Sequence, residues 1–446
     1  MSPHMSFREL TGGNGCSILS ATPGPDLAAA GYDETEYAFD GTVGGVTADG
    51  VVAPAEFTTR VLVRRPVAQE RFNGVLVVEW LNVSSGSDAA PEYTYLAEEL
   101  VRGGYAWAGV SAQYTGIEGG EGSVGLADAG AQGLAGKDPE RYAGLRHPGD
   151  AYCFDIFAAV GRALSPDADD PAHPLAGLSV HHTLAVGESQ SAMALTTYTT
   201  RFAAEHRVFD AYLIHSRAAA GLPLGEPDSG IDVGATFLGE PTPLRTDLDV
   251  PVFTVQTETD VLTNFRFYRA QQPDTDRIRT WEIAGTSHAD LHQIGPYESM
   301  LGCPQPVNRG QQRFVLRAAL RHLHTWVSEG TPPPTAEPLL LDHTNPEEPQ
   351  LVTDELGNAR GGVRTPCVEA ATQVLSGVVP DPVSRICLLF GSTTPIPSDL
   401  LAARYGTREN YQHLYDKAAD ASIADGFTLP EDRAELRADA NPDLIP

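Results

Sequence analysis

The chain has 446 residues, 41% of them apolar and 20% charged, so it holds ample material for a core and global disorder is excluded. At about 100–200 residues per domain, this length allows roughly two or three domains, or one large domain with appendages. Lys and Arg number 30 against 59 Asp and Glu, a net charge of −29. That argues against nucleic acid or an anionic membrane as a partner, because both need clustered cations.

The first thirty residues are punctuated by Gly and Pro and read as a surface wrap. Residues 37–43 and 58–66 alternate with a period of two, as half-buried strands do, whereas 74–80 is a continuous apolar run, the mark of a strand covered on both faces. A helix is expected over 93–102, stopped by Gly103-Gly104, and a strand over 105–111. Strand, helix, strand in that order suggests a parallel crossover. Residues 115–148 are Gly-rich and read as a long loop; 150–164 has helical spacing. A strand follows at 183–186, a helix at 191–204 and a strand at 209–215. Residues 218–249 read as a lid-like insertion, strands resume at 250–255 and 279–283, and a helix runs over 311–328. The prolines of 331–335 mark a linker. The expected organisation is an α/β core over 1–330 and a C-terminal extension over 331–446, mostly helical at 401–426 and packed on the core or lid.

The most informative stretch is Thr183-Leu-Ala-Val-Gly-Glu-Ser-Gln-Ser-Ala192. A buried strand runs into Gly187-x-Ser189-x-Ser191 and a helix starts at once, the context that gives such a pattern meaning. In so tight a turn the residues flanking a nucleophile must be small. The helix N-terminus behind it favours a developing oxyanion. A serine here also serves simply as a helix cap; the strand–turn–helix context and the partners downstream favour the nucleophile.

A serine hydroxyl needs a base, usually histidine, oriented by a carboxylate. The order serine, acid, histidine is met by Ser189, then Asp260 or Glu258 after one strand, then His288 after the next. Asp260 is the favoured acid, and the longer Glu258 is the alternate. His181 and His182 precede the nucleophile strand, at the wrong end of a sheet, and His215 comes before the acid. His292, four residues beyond His288, suggests a metal pair, but no third ligand follows at a sensible spacing, so no metal is expected. For the oxyanion, backbone N–H groups of Gln190 and of the loop at Asn82 are the candidates. A glycosylation reading of Asn82-Val-Ser84 has no secretory signal beside it.

At these residues the sequence resembles the α/β-hydrolase superfamily, and within it a bacterial group of "alpha/beta hydrolase domain-containing" proteins. The likeness is carried by Val78-Glu-Trp-Leu-Asn-Val, residues 100–109, Gly187-Glu-Ser-Gln-Ser-Ala, His215-Ser-Arg, Thr257-Glu-Thr-Asp and Trp281-Glu-Ile-Ala-Gly-Thr-Ser-His-Ala-Asp. Gly357-Asn-Ala-Arg-Gly-Gly-Val-Arg-Thr-Pro and Leu389-Phe-Gly extend it into the C-terminal region. The resemblance implies a central, mostly parallel sheet with helices on both faces, and a serine esterase-like hydrolase that needs no cofactor. Its triad falls on Ser189, Asp260 or Glu258, and His288. Ser191 stands where the superfamily pattern has glycine.

The expected function is hydrolysis of a small-molecule carboxylic ester or lactone through an acyl-enzyme. An acyltransferase or amidase on the same triad, and a non-catalytic binding protein of this fold, are the alternatives. Oligomeric state is left open, a homo-oligomer included. Five scattered cysteines without a CxxC pair fit neither a disulfide framework nor a zinc ribbon. With no signal-like start and no apolar run near the ~18–20 residues of a membrane span, a cytoplasmic protein without membrane attachment is expected.

Overall fold

In the computed structural model of the chain, which describes residues 5–20, 22, 24–124, 132–165, 172–380 and 384–446, two compact units divide at Val252/Phe253. The first unit carries strands β1 (Ser6–Glu9), β2 (Tyr32–Thr47), β3 (Gly50–Pro66), β4 (Val75–Trp80), β5 (Ala106–Val110), β6 (His182–Glu188) and β7 (Ala211–His215). They lie in the order β1-β2-β3-β5-β4-β6-β7. From β1 to β5 neighbours run antiparallel, and from β5 through β4 and β6 to β7 they run parallel. Parallel neighbours need crossovers, supplied here by helices such as Pro91–Arg102 and Gln190–Arg201.

Every residue of β4 is buried, which is why it reads as a run rather than an alternation. Its one charged member, Glu79, sits at the start of the Pro91–Arg102 helix. There it accepts the N–H groups of Glu92 and Tyr93, at 3.1 and 2.8 Å, and the Trp107 indole N–H at 3.0 Å. Burial, and next the nearby Glu92 carboxylate, push the Glu79 carboxyl well above its usual range, against the pull of those donors. Phe157, from the helix Cys153–Leu164, packs its ring 4.8 Å from that of Trp80 and 5.0 Å from that of Phe209. Burying such a ring stabilises by about 1.5–3 kcal/mol.

The register pairs Glu79 with Val186 and Glu188 with His215, so β4, β6 and β7 end along one edge. Open α/β sheets bind ligands at the carboxyl ends of their strands. Two expectations change in detail. The opening segment contributes β1, because Ser6–Glu9 can pair with Tyr37–Asp40. The Gly-rich stretch folds partly into the short helices Tyr114–Glu118, Gly133–Lys137 and Pro139–Tyr142, with 125–131 outside the described residues. The insertion is irregular save for one turn, Val233–Leu238.

The second unit holds β8 (Val252–Thr257) save its first residue, its hydrogen-bonded neighbour β9 (Ile278–Ile283), and the long helix Gln312–Glu329. The Pro-rich stretch does not separate a further unit. Pro334 O accepts the Trp281 indole N–H at 2.8 Å, and Leu339 N–H donates to Glu282 at 2.8 Å, so the chain beyond 331 lies along β9. Farther on, Arg317 pairs with buried Asp432 at 2.9 Å.

The cysteine reading is corrected. Cys303 and Cys387, 84 residues apart, form a disulfide, while Cys16, Cys153 and Cys367 are free. The fold makes this pairing, so no local spacing announces it. Among the described residues no helix is long and apolar enough to cross a membrane.

Candidate active site

Buried β6 delivers the chain to Ser189, whose backbone takes φ 62 and ψ −120 before the helix Gln190–Arg201 begins. A positive φ at a non-glycine residue costs of order 1–3 kcal/mol and persists only where the surroundings impose it. Here they do. Ser189 N–H donates to His215 O at 2.9 Å, and a Cβ on Gly187 would lie 2.9 Å from the Ser191 Cβ. Ser189 is half-buried, and Gln190 takes the first helical position, where a backbone N–H has no intrahelical acceptor.

The loop after β4 faces this elbow. Asn82 N–H pairs with Ala89 O at 2.9 Å in a reciprocal backbone bridge. The Asn82 side chain fastens the loop to the elbow, donating from Nδ2 to Glu188 O at 3.1 Å and accepting Ser84 N–H at 2.8 Å. The next amide, Val83 N–H, is the one that meets the elbow, donating to Gln190 Oε1 at 3.1 Å. Gln190 Nε2 donates in turn to Gln113 Oε1, which also receives the Trp80 indole N–H at 3.0 Å.

In the second unit Asp260 and His288 come together, with Nδ1 of the imidazole 2.6 Å from Asp260 Oδ1. The other carboxylate oxygen accepts Thr257 N–H at 2.8 Å and its hydroxyl at 2.7 Å, within a capping box that opens the short helix Glu258–Val261. A carboxylate only accepts, so Nδ1 carries the hydrogen of this contact. Both side chains are nearly sealed from solvent, and the Phe265 ring lies 4.4 Å from the imidazole.

Glu258 points elsewhere. Its oxygens accept Gly285 N–H at 2.6 Å and Gly377 N–H at 2.8 Å, and burial pushes its carboxyl up to about 7. The loop carrying His288 is braced on both sides by Gln312, whose Nε2 reaches Ser287 O at 3.1 Å and Asp290 at 2.9 Å. Leu389 O takes Ala289 N–H at 3.0 Å. His292 lies on the short helix Leu291–Ile294, and no group of three His, Cys, Asp or Glu among the described residues is disposed to hold a metal.

Several supports were not legible in advance. His215, set aside for its chain order, holds the elbow through its carbonyl and is itself held by Glu92, 2.8 Å from Nδ1. Gln113 and Gln312 carry no motif; a glutamine beside an apolar strand or helix is the only sign, and it is a common one.

The sequence pattern described as "Alpha/beta hydrolase domain" matches residues 6–438. No curated protein matches the chain. Among solved structures, the Pyrococcus furiosus esterase Pf2001 aligns at 10% identity with a TM-score of 0.29, over 60% of this chain and 88% of that one. A Rhizomucor miehei esterase aligns at 12% identity and a TM-score of 0.34, over 69% and 92%. XC6422 from Xanthomonas campestris, described as an α/β serine hydrolase without a lid, aligns at 14% and 0.30, over 56% and 85%. Its sequence matched along nearly the whole length, the chain belongs to the family of alpha/beta hydrolase domains and is a hydrolase of that fold.

Proposed function

We propose that the protein is a serine hydrolase that cleaves a carboxylic ester or lactone through an acyl-enzyme. Ser189 Oγ attacks the carbonyl carbon while His288 Nε2 takes the hydroxyl proton. Asp260 holds the imidazole tautomer and stabilises the imidazolium. The carbonyl oxygen, now negative, is received by Gln190 N–H and by Val83 N–H, which gives up its side-chain acceptor to the substrate. Collapse expels the alkoxide, protonated by His288. Water, deprotonated by the same imidazole, then frees the acid and restores Ser189. Residues 218–249 are proposed to bound the acyl pocket.

One observation carries this reading above the others: Ser189 is held in a backbone conformation that a plain helix cap does not need. The test is labelling by a fluorophosphonate probe, with Ser189→Ala as control, followed by turnover of p-nitrophenyl esters of rising acyl length beside several lactones. Labelling that Ser189→Ala abolishes is expected; labelling that persists in the variant overturns the assignment. Product analysis with competing alcohols and amines separates hydrolysis from acyl transfer.

A further inference from the structure

The hydrogen-bond chain behind the elbow has a direction, and one residue sets it. An indole N–H can only donate. The Trp80 Nε1–H is directed at Gln113, 3.0 Å away, so the amide end facing it must be the oxygen. Gln113 Nε2 is thereby turned to Asp150 Oδ2 at 3.4 Å, a buried carboxyl that also accepts Tyr114 N–H at 2.7 Å and Ile231 N–H at 2.8 Å. The same Gln113 oxygen accepts from Gln190, so the end of the Gln190 amide facing it must be Nε2. That leaves Gln190 Oε1 against Val83 N–H, 3.1 Å apart. Trp80, Gln113, Gln190 and Asp150 are each at most 1% exposed, so water does not compete for these partners.

We propose that Gln113 is a positioning residue for the oxyanion site: taking its polarity from Trp80, it keeps the Gln190 side-chain oxygen, rather than its NH₂, against Val83 N–H. The proposal rests on the acyl-enzyme reading above. In the free protein the amide oxygen holds Val83 N–H aimed at the elbow. A neutral amide is a weaker acceptor than a developing oxyanion, so the substrate takes over this donor most favourably in the transition state. An inverted Gln190 amide would oppose two donors, and the loop would withdraw.

The test uses the full chain and follows ester turnover, thermal stability and affinity for a trifluoromethyl ketone, whose adduct with the serine carries an oxyanion. Gln113→Leu removes the shared acceptor. The expected result is kcat lower by roughly tenfold with KM little changed, and ketone binding weakened by a similar factor, a fraction of the ~10²–10³ lost with a direct oxyanion donor. Gln113→Glu, as the neutral acid, keeps a carbonyl oxygen for both Trp80 and Gln190 and an O–H for Asp150, and is expected to recover most of kcat. Should Gln113→Leu fail to fold, Trp80→Phe, which removes only the orienting donor and keeps an aromatic ring, is expected to show the same split between kcat and KM. Variants that retain wild-type kcat and ketone affinity overturn the proposal alone. A rise in KM together with a fall in kcat, unrelieved by Gln113→Glu, assigns Gln113 a merely structural role and also overturns it. A wild-type chain inert to the fluorophosphonate overturns this proposal together with the acyl-enzyme reading.

Discussion

Gly187 and Ser191 meet across the elbow so closely that a Cβ at 187 would lie 2.9 Å from the Ser191 Cβ and 3.1 Å from its carbonyl carbon. Both residues flanking the turn at Ser189 are small for this reason, and a serine suffices where a wider pattern has glycine. Gly187→Ala is expected to cost about 1–3 kcal/mol, the usual range for overpacking, and to slow fluorophosphonate labelling. Urea unfolding and labelling rates check the two effects.

Ser189→Gly and Ser189→Ala should part company in stability. Glycine accepts φ 62 without a Cβ penalty and is expected to raise unfolding free energy by ~1 kcal/mol, whereas alanine inherits the strain. Neither variant should form an acyl-enzyme. Equal stability in both would show that the turn is unstrained.

The two carboxylates near His288 predict different losses. Asp260→Asn disturbs the imidazole tautomer and is expected to lower kcat by about 10⁴, the scale known for such a change in a Ser-His-Asp triad. Glu258→Gln leaves the Asp260–His288 pair in place and is expected to change kcat by less than about tenfold. Steady-state kinetics of the pair decides which acid serves the imidazole.

Glu258 also predicts a pH dependence. Its carboxyl is raised from 4.5 to about 7 in the folded chain by burial. Between those values the unfolded chain has lost this proton and the folded chain keeps it. The contribution is therefore fully present below about 4.5, declines as pH rises, and is gone above about 7. The full shift corresponds to ~3 kcal/mol. The difference in unfolding free energy between wild type and Glu258→Gln, measured at pH 5 and pH 8, should shift by that order in favour of the variant at the higher pH.

The Cys303–Cys387 bond closes a long loop and, by chain entropy, stabilises by up to ~4 kcal/mol. Paired serine substitutions should lower the melting temperature by several degrees. They should also slow labelling of Ser189, because the segment Arg385–Phe390 supplies the carbonyl that holds Ala289, next to the imidazole.

Much of the fold was legible where one physical signal dominates. The buried run at Val75–Trp80 and the strand–turn–helix at Gly187–Ser191 each reflect a local constraint, covering on both faces in one case and steric crowding in the other. The Asp260–His288 pair was readable because both residues follow strands. Choosing between Asp260 and Glu258 was a matter of direction: two backbone amides, one as distant as Gly377, claim Glu258, and no spacing records that. The pairing of Asn82 N–H with Ala89 O is equally silent in the sequence, since only the loop's fold supplies that partner. Polar residues that work through others, such as Gln113 and Gln312, leave no periodic trace.

The bond between Cys303 and Cys387 makes the manner of preparation part of the molecule's identity. Material made in a thiol-rich bacterial cytosol and material exported to the periplasm would share every residue yet differ in how firmly the imidazole is seated. Specific activities from the two batches are comparable only after their free thiols have been counted.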